Sequence, residues 1–166
     1  MPEANLLVTF DPTHIESVKK EIAERMGDIK EKAKVLKIEG GLAEISVSDN
    51  RKVLKALEKL SKKKDKFNYT KKWIPIDKWT KAKIPEMQKA VKEAIKGLKE
   101  KEKWKMDLSK HRADISEREL IIKLTDVIEN QNVDLEKPDK IVKVEIVENK
   151  AGIALLDKDG ILNVAK

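Results

Sequence analysis

Apolar residues along this chain recur with two alternating periods, and each switch between them marks an element. Residues 4–10, ANLLVTF, are apolar enough for a buried strand. Thr13 and Glu16 then form a capping box, and Ile15, Val18, Ile22 and Met26 recur at helical spacing as far as Gly27, which suits a helix end. VLKIE and LAEISV read as short strands joined at Gly40 and Gly41, a strong hairpin signal. Ser48 or Asp49 can cap a second helix whose apolar face carries Val53, Leu54, Leu57 and Leu60. The polar loop SKKKDK leads into FNYTKKWIPI, an aromatic and β-branched strand that closes with Pro75. The order is βαββαβ.

That order is the ferredoxin-like arrangement, and residues 1–76 suffice for one such domain. Pro75 stops the strand pattern and WTKAKIP fits no element well, so a boundary is expected near Asp77, with residues 77–166 as a second domain. From Pro85 the pattern turns helical: Met87, Val91, Ala94 or Ile95, and Leu98 mark one stripe, with Lys89, Lys92, Lys96 and Lys99 largely off it. KWKMDL is a strand with Trp104, Met106 and Leu108 on one side and Lys103, Lys105 and Asp107 on the other. It runs directly into Lys110, His111 and Arg112. Ser116 and Glu119 make a second capping box, opening a helix with Leu120, Ile121, Leu124, Val127 and Ile128. In VDLEKPD, Pro138 forces an extended or turning backbone. IVKVEIVE and AGIALLD finish as strands around a turn at Asn149 and Lys150. The expected fold class is therefore α+β in both halves, without a repeat linking them.

Composition narrows the function. The chain is 40% hydrophobic and 40% charged, enough for a core under an ionic surface and unlike a disordered chain. The absence of cysteine removes disulfides, zinc-cysteine sites and thiol nucleophiles, and suits a reducing cytosol. No apolar run reaches membrane-spanning length and MPEANLLVTF lacks the basic start of a signal peptide, so a cytoplasmic protein with no membrane partner is expected. Abundant Lys and Glu fit a thermophile-like or archaeal protein. The net charge of +7 conceals an asymmetry: residues 51–112 hold 22 Lys or Arg against 8 Asp or Glu, a net of +14, leaving −7 for the rest. A field of one sign attracts polyanions, nucleic acid above all. Solvated helix faces in a highly charged protein would give the same count.

Motifs for catalysis are missing from the sequence. There is no GxGxxG, no glycine-rich loop with a phosphate-binding lysine, and no HxE paired with CxxC, so no enzyme and no cofactor are expected. His111 has only His14 for company, which argues against a metal. DKDG at 157–160 matches the start of a calcium loop without its later glutamate and reads as a turn. The chemistry that stands out is the elbow after KWKMDL. A strand packed through Trp104, Met106 and Leu108 holds its end rigid. Arg112 can then meet a phosphate bidentately or stack on a base, and Lys110 acts as a point charge. Lys103 and Lys105 could track the backbone, and Lys71 and Lys72 lie on a strand near the proposed junction. Against this, Lys110 and Arg112 could instead cap a helix end or pair with Asp114 and Glu117, and His111 could be a structural group. Trp104 reads as core, Trp73 and Trp79 as packing between domains, and Lys62, Lys63 and Lys64 as a solvated loop.

KWKMDLSKHR, then SERELIIKLTDVIE, then VDLEKPDKIVKVEIVENKAGIALL resembles a THUMP domain, an RNA-binding module of several tRNA-modifying proteins, over about residues 77–160. The βαββαβ unit is similar to the ferredoxin-like domain that accompanies it. With WIPIDKW at the junction, the whole chain resembles the stand-alone THUMP proteins that act as adaptors in tRNA acetylation. The resemblance implies that Lys103, Lys105, Lys110, His111, Arg112, Lys71 and Lys72 bind the acceptor stem and 3′ CCA end of tRNA. It further implies delivery, with the domain separation as a ruler, to an RNA cytidine acetyltransferase that makes N4-acetylcytidine. Two other readings stay open: an RNA-binding module for ribosomal or other structured RNA with no modification role, and a small-molecule-sensing ferredoxin-like protein, for which no convergent polar pocket residues are seen. Homo-oligomerisation through a sheet edge is also left open.

Overall fold

A computed structural model describes residues 3–166; Met1 and Pro2, the start of the expected 1–76 domain, lie outside the described residues. The chain forms two compact units, one running to Ile76 and joined by Gly160–Lys166, the other Asp77–Asp159. The first unit contains β1 (Leu6–Phe10), α1 (Ile15–Asp28), β2 (Lys34–Glu39), β3 (Leu42–Ser46), α2 (Asn50–Ser61) and β4 (Thr70–Pro75). Leu6, Val8 and Phe10 alternate along β1 onto the face covered by Val18, Ile22 and Met26 of α1 and Val53, Leu54 and Leu57 of α2. Gly40 and Gly41 have φ of 57° and 84°, the left-handed pair that a two-residue hairpin between β2 and β3 requires. Trp73 is fully buried in this core, edge-on to Phe67, with its Nε1 donating to Thr70 Oγ1 at 3.1 Å.

Two details of α1 differ from the sequence expectation. Its N-cap position is His14, with no side-chain cap; Asp11 instead caps the preceding 3-10 turn at Pro12–His14, accepting from the Thr13 amide at 3.0 Å. The helix also passes Gly27, and it is Lys30 that adopts φ 57° while Glu31 N donates to Met26 O. Asp49, one of the two expected caps, accepts from Lys52 N and starts α2.

The second unit contains β5 (Lys78–Lys81), α3 (Ile84–Ala94), β6 (Trp104–His111), α4 (Glu117–Thr125), β7 (Lys140–Val147) and β8 (Lys150–Asp157). Its sheet has the order β5-β8-β7-β6, with β6 parallel to β7 and the other pairs antiparallel. Met87 and Val91 of α3 and Leu120 and Leu124 of α4 pack on Trp104, Leu108, Val142, Val144 and Ile153. Ser116 caps α4, accepting from Glu119 N at 3.3 Å as the capping box predicts, although the helix ends at Thr125. WTKAKIP, which fitted no element, supplies most of β5, and the β7–β8 turn falls at Glu148 and Asn149, one residue earlier than expected. Residues 160–166, expected with the second domain, provide β9 (Leu162–Asn163). It pairs with β4 at Lys72 and Trp73, giving the first sheet the order β2-β3-β1-β4-β9.

Candidate nucleic-acid interface

Strand β6 lies at the edge of the second sheet, and its inward residues Trp104 and Leu108 are buried. The Trp104 indole donates to Asn130 O at 2.9 Å, so the start of the strand is held by the loop after α4. At its far end Arg112 adopts φ 53°, a conformation that a non-glycine residue holds only when its surroundings enforce it. The enforcement is visible. His111 O accepts from Glu148 N at 2.9 Å, and the Arg112 guanidinium reaches Glu148 Oε1 through Nε at 3.2 Å and a terminal nitrogen at 3.0 Å. Lys110 Nζ donates to Ile115 O at 2.9 Å, on the approach to the cap of α4. The elbow is therefore rigid. The alternative pairing of Arg112 with Asp114 or Glu117 gives way to Glu148, which the β7–β8 turn delivers.

On the sheet face opposite the helices lies a chain of charges. Parallel pairing sets Asp107 opposite Lys143 and Ser109 opposite Glu145. Lys143 Nζ stands 3.2 Å from Asp107 Oδ1, 3.1 Å from Ser109 Oγ and 3.0 Å from Glu145 Oε1. The last is an ionic contact without hydrogen-bond alignment. The other Glu145 oxygen meets His111 Nε2 at 2.7 Å. The Lys143 and Glu145 side chains are only 3% and 1% exposed, so each ion depends on the other for stabilisation in a region of poor solvation. In neutral His111 this bond places the proton on Nε2 and leaves Nδ1 as an acceptor.

The remaining sequence candidates are dispersed. Lys103 precedes β6, is 59% exposed and lies 3.7 Å from Asp134. The amides of Lys137 and Glu136, with Lys103 a lesser contributor, hold the Asp134 carboxyl below its ordinary range. Lys105 is half-buried on the same strand face as Asp107, with no side-chain hydrogen bond or ion pair among the described residues. Lys71 and Lys72 are both exposed on β4, in the other compact unit. Lys71 lies within electrostatic reach of Asp11, whose carboxyl is lowered chiefly by the Thr13 amide. Trp79 of β5 carries the Lys150 ammonium 4.4 Å above its ring.

The family model for the THUMP domain matches residues 81–156, the stretch that contains β6, its elbow and the charged chain behind it. Over these residues the chain is similar to a THUMP domain. The THUMP domain is an RNA-binding module. Solved structures share the fold across the chain. PH1313 from Pyrococcus horikoshii Ot3 superposes with a TM-score of 0.65 at 17% identity, over 92% of this chain and 54% of its own. TrmN from Thermus thermophilus gives 0.58 at 13% identity, over 90% and 44%. A 4-thiouridine synthetase in an RNA complex with bound ATP gives 0.58 at 15% identity, over 97% and 42%. The chain thus spans about half the length of these structures. No curated protein matches it by sequence. Among the described residues no helix is long and apolar enough to cross a membrane.

Reading the sequence alone picked out the consecutive Lys110, His111 and Arg112 but not the residues that orient the last two. Lys143 and Glu145 on β7 and Glu148 in the turn after it lie about 35 positions downstream, and the parallel register of β6 on β7 brings them alongside. The one available signal was chemical: VKVEIV puts Lys143 and Glu145 at alternate positions in an otherwise apolar strand.

Proposed function

We propose that this protein is a tRNA-binding adaptor that grips the acceptor stem and 3′ CCA end and presents the tRNA to a separate RNA cytidine acetyltransferase. The observation that carries the reading is the elbow itself. Within the THUMP match, an edge strand ends in Lys110, His111 and Arg112, each oriented by a partner, on a backbone held in a left-handed turn. A fork fixed in advance loses little entropy when it meets phosphate oxygens or unpaired bases. The Arg112–Glu148 pair does not prevent this. Exposed ion pairs contribute only about 0–1 kcal/mol, so a phosphate can share or replace Glu148 as the guanidinium partner. Lys103 and Lys105 extend the same strand's polar side along the RNA backbone, and Lys71 and Lys72 add basic charge from the ferredoxin-like domain. No chemistry is assigned to the chain; its task is positioning.

The test is reconstitution. A tRNA transcript is incubated with an RNA cytidine acetyltransferase and acetyl-coenzyme A, with and without this protein. N4-acetylcytidine should form only in its presence and fall with the Lys110→Ala, Arg112→Ala variant. Acetylation that ignores the protein, with tRNA binding intact, would reassign it to RNA binding without a role in modification.

A further inference from the structure

The first unit carries a second surface with the features of a nucleic-acid site, on residues that the elbow does not involve. Tyr69, the chain's sole tyrosine, is 40% exposed just before β4, and its ring packs against His14 with centroids 5.4 Å apart and planes tilted by 50°. The exposed part of the ring lies beside a lysine-rich loop.

The backbone beneath Tyr69 is unusually well fixed. The Glu21 carboxylate, buried on α1, accepts from the amides of Asn68 at 2.7 Å, Tyr69 at 3.2 Å and Thr70 at 2.8 Å. The buried Arg25 donates to Lys66 O and pairs with Asp28 at 2.9 Å. Asn68 is held on both sides of its amide, donating to Asp65 O and accepting from Lys166 Nζ at 2.6 Å. The segment thus presents Tyr69 on a prepared platform rather than a loose loop.

Beside the ring runs an open groove of about 390 Å³, lined by Lys20, Lys64 and Lys66 as well as Tyr69. Acidic groups line it too, yet they are largely engaged: Glu21 by three amides, and Glu24 by Arg25 at 3.2 Å and Lys20 at 4.0 Å. Asp65 remains, against the ammonium groups of Lys64, of Lys66, which lies 3.6 Å from Asp28, and of the adjacent Lys166.

We propose that this groove binds an unpaired RNA nucleotide, with its base against Tyr69 and its phosphates on Lys64 and Lys66. Stacking on an exposed ring is available to every base, so the site is tolerant of sequence and selective for single strands. RNA as the ligand rests on the function proposed above; the groove as a stacking site rests on its own geometry.

A single tyrosine makes the test direct. Protein carrying 3-fluorotyrosine gives one fluorine resonance, followed while a short unstructured RNA is added and its binding is read in parallel by fluorescence anisotropy of the RNA. The resonance should shift saturably in the wild type and equally in the Lys110→Ala, Arg112→Ala variant, and respond less in Lys64→Ala, Lys66→Ala. In unlabelled protein that already carries Lys110→Ala and Arg112→Ala, Tyr69→Phe should keep the affinity and Tyr69→Ala lose about tenfold. RNA that binds without moving the resonance would overturn this site and leave the elbow standing. RNA that neither binds nor moves it would overturn both.

Discussion

At the scale of single residues, Arg112 decides most. Its left-handed backbone and its contacts to Glu148 set the direction of the guanidinium. If Arg112 contacts RNA as proposed, Glu148 is both its template and a competitor with phosphate. Glu148→Gln should therefore tighten tRNA binding several-fold in a direct titration while leaving thermal unfolding almost unchanged, since the pair is exposed. Weaker binding would show that orientation outweighs competition. Glu145 is the opposite case. Its side chain is 1% exposed and joins Lys143 to His111, so Glu145→Ala strands a buried ammonium and should cost about 3–5 kcal/mol in denaturant unfolding. A loss below 1 kcal/mol would mean that Lys143 finds enough compensation in Asp107 and Ser109. The basic side chains of the site were legible in the sequence because they are consecutive; their acidic partners were not, because they meet only through the register of two strands.

Elements were legible where local chemistry alone decides them. The hairpin at Gly40 and Gly41 is the plainest case: at Gly41, φ is 84° and an added Cβ would lie 2.8 Å from Phe10 O. Gly41→Ala should accordingly destabilise the first unit by about 1–3 kcal/mol, read by denaturant unfolding, whereas Gly27→Ala, with open space around its Cβ, should not. The caps at Asp49 and Ser116 and the stripes of α2 and α3 are equally local. Strands β5 and β9 went unread because each is short and draws its stability from a distant partner, β8 and β4 respectively. At the start of β7, Lys140 Nζ donates a hydrogen bond to Asp157 on β8, which raises its pKa from the ordinary lysine value despite partial desolvation. A group raised on folding adds stability that is complete below its unfolded pKa and is lost as pH climbs through the folded one. The thermal stability of the second unit should therefore fall more steeply above about pH 10.5 in the wild type than in Lys140→Met. Parallel falls in the two would contradict the assignment.

For the whole molecule, the sequence announced two α+β units and a basic middle of the chain, and the THUMP match covers the second unit's site. What it concealed is that residues 160–166 return to the first unit, where Leu162 and Val164 pack on that core. The central claim is that the elbow recognises an RNA end, not merely a polyanion. The measurement that tests it most directly is a titration of labelled tRNA, with and without its terminal CCA, against the wild type and the Lys110→Ala, Arg112→Ala variant at two salt concentrations. The account predicts at least about tenfold weaker binding when either the CCA or the elbow is removed, little further loss when both are, and a salt slope flatter by about 1.5 in the variant. Equal binding of both RNAs by both proteins would contradict it, reducing the basic stretch to a general surface for polyanions.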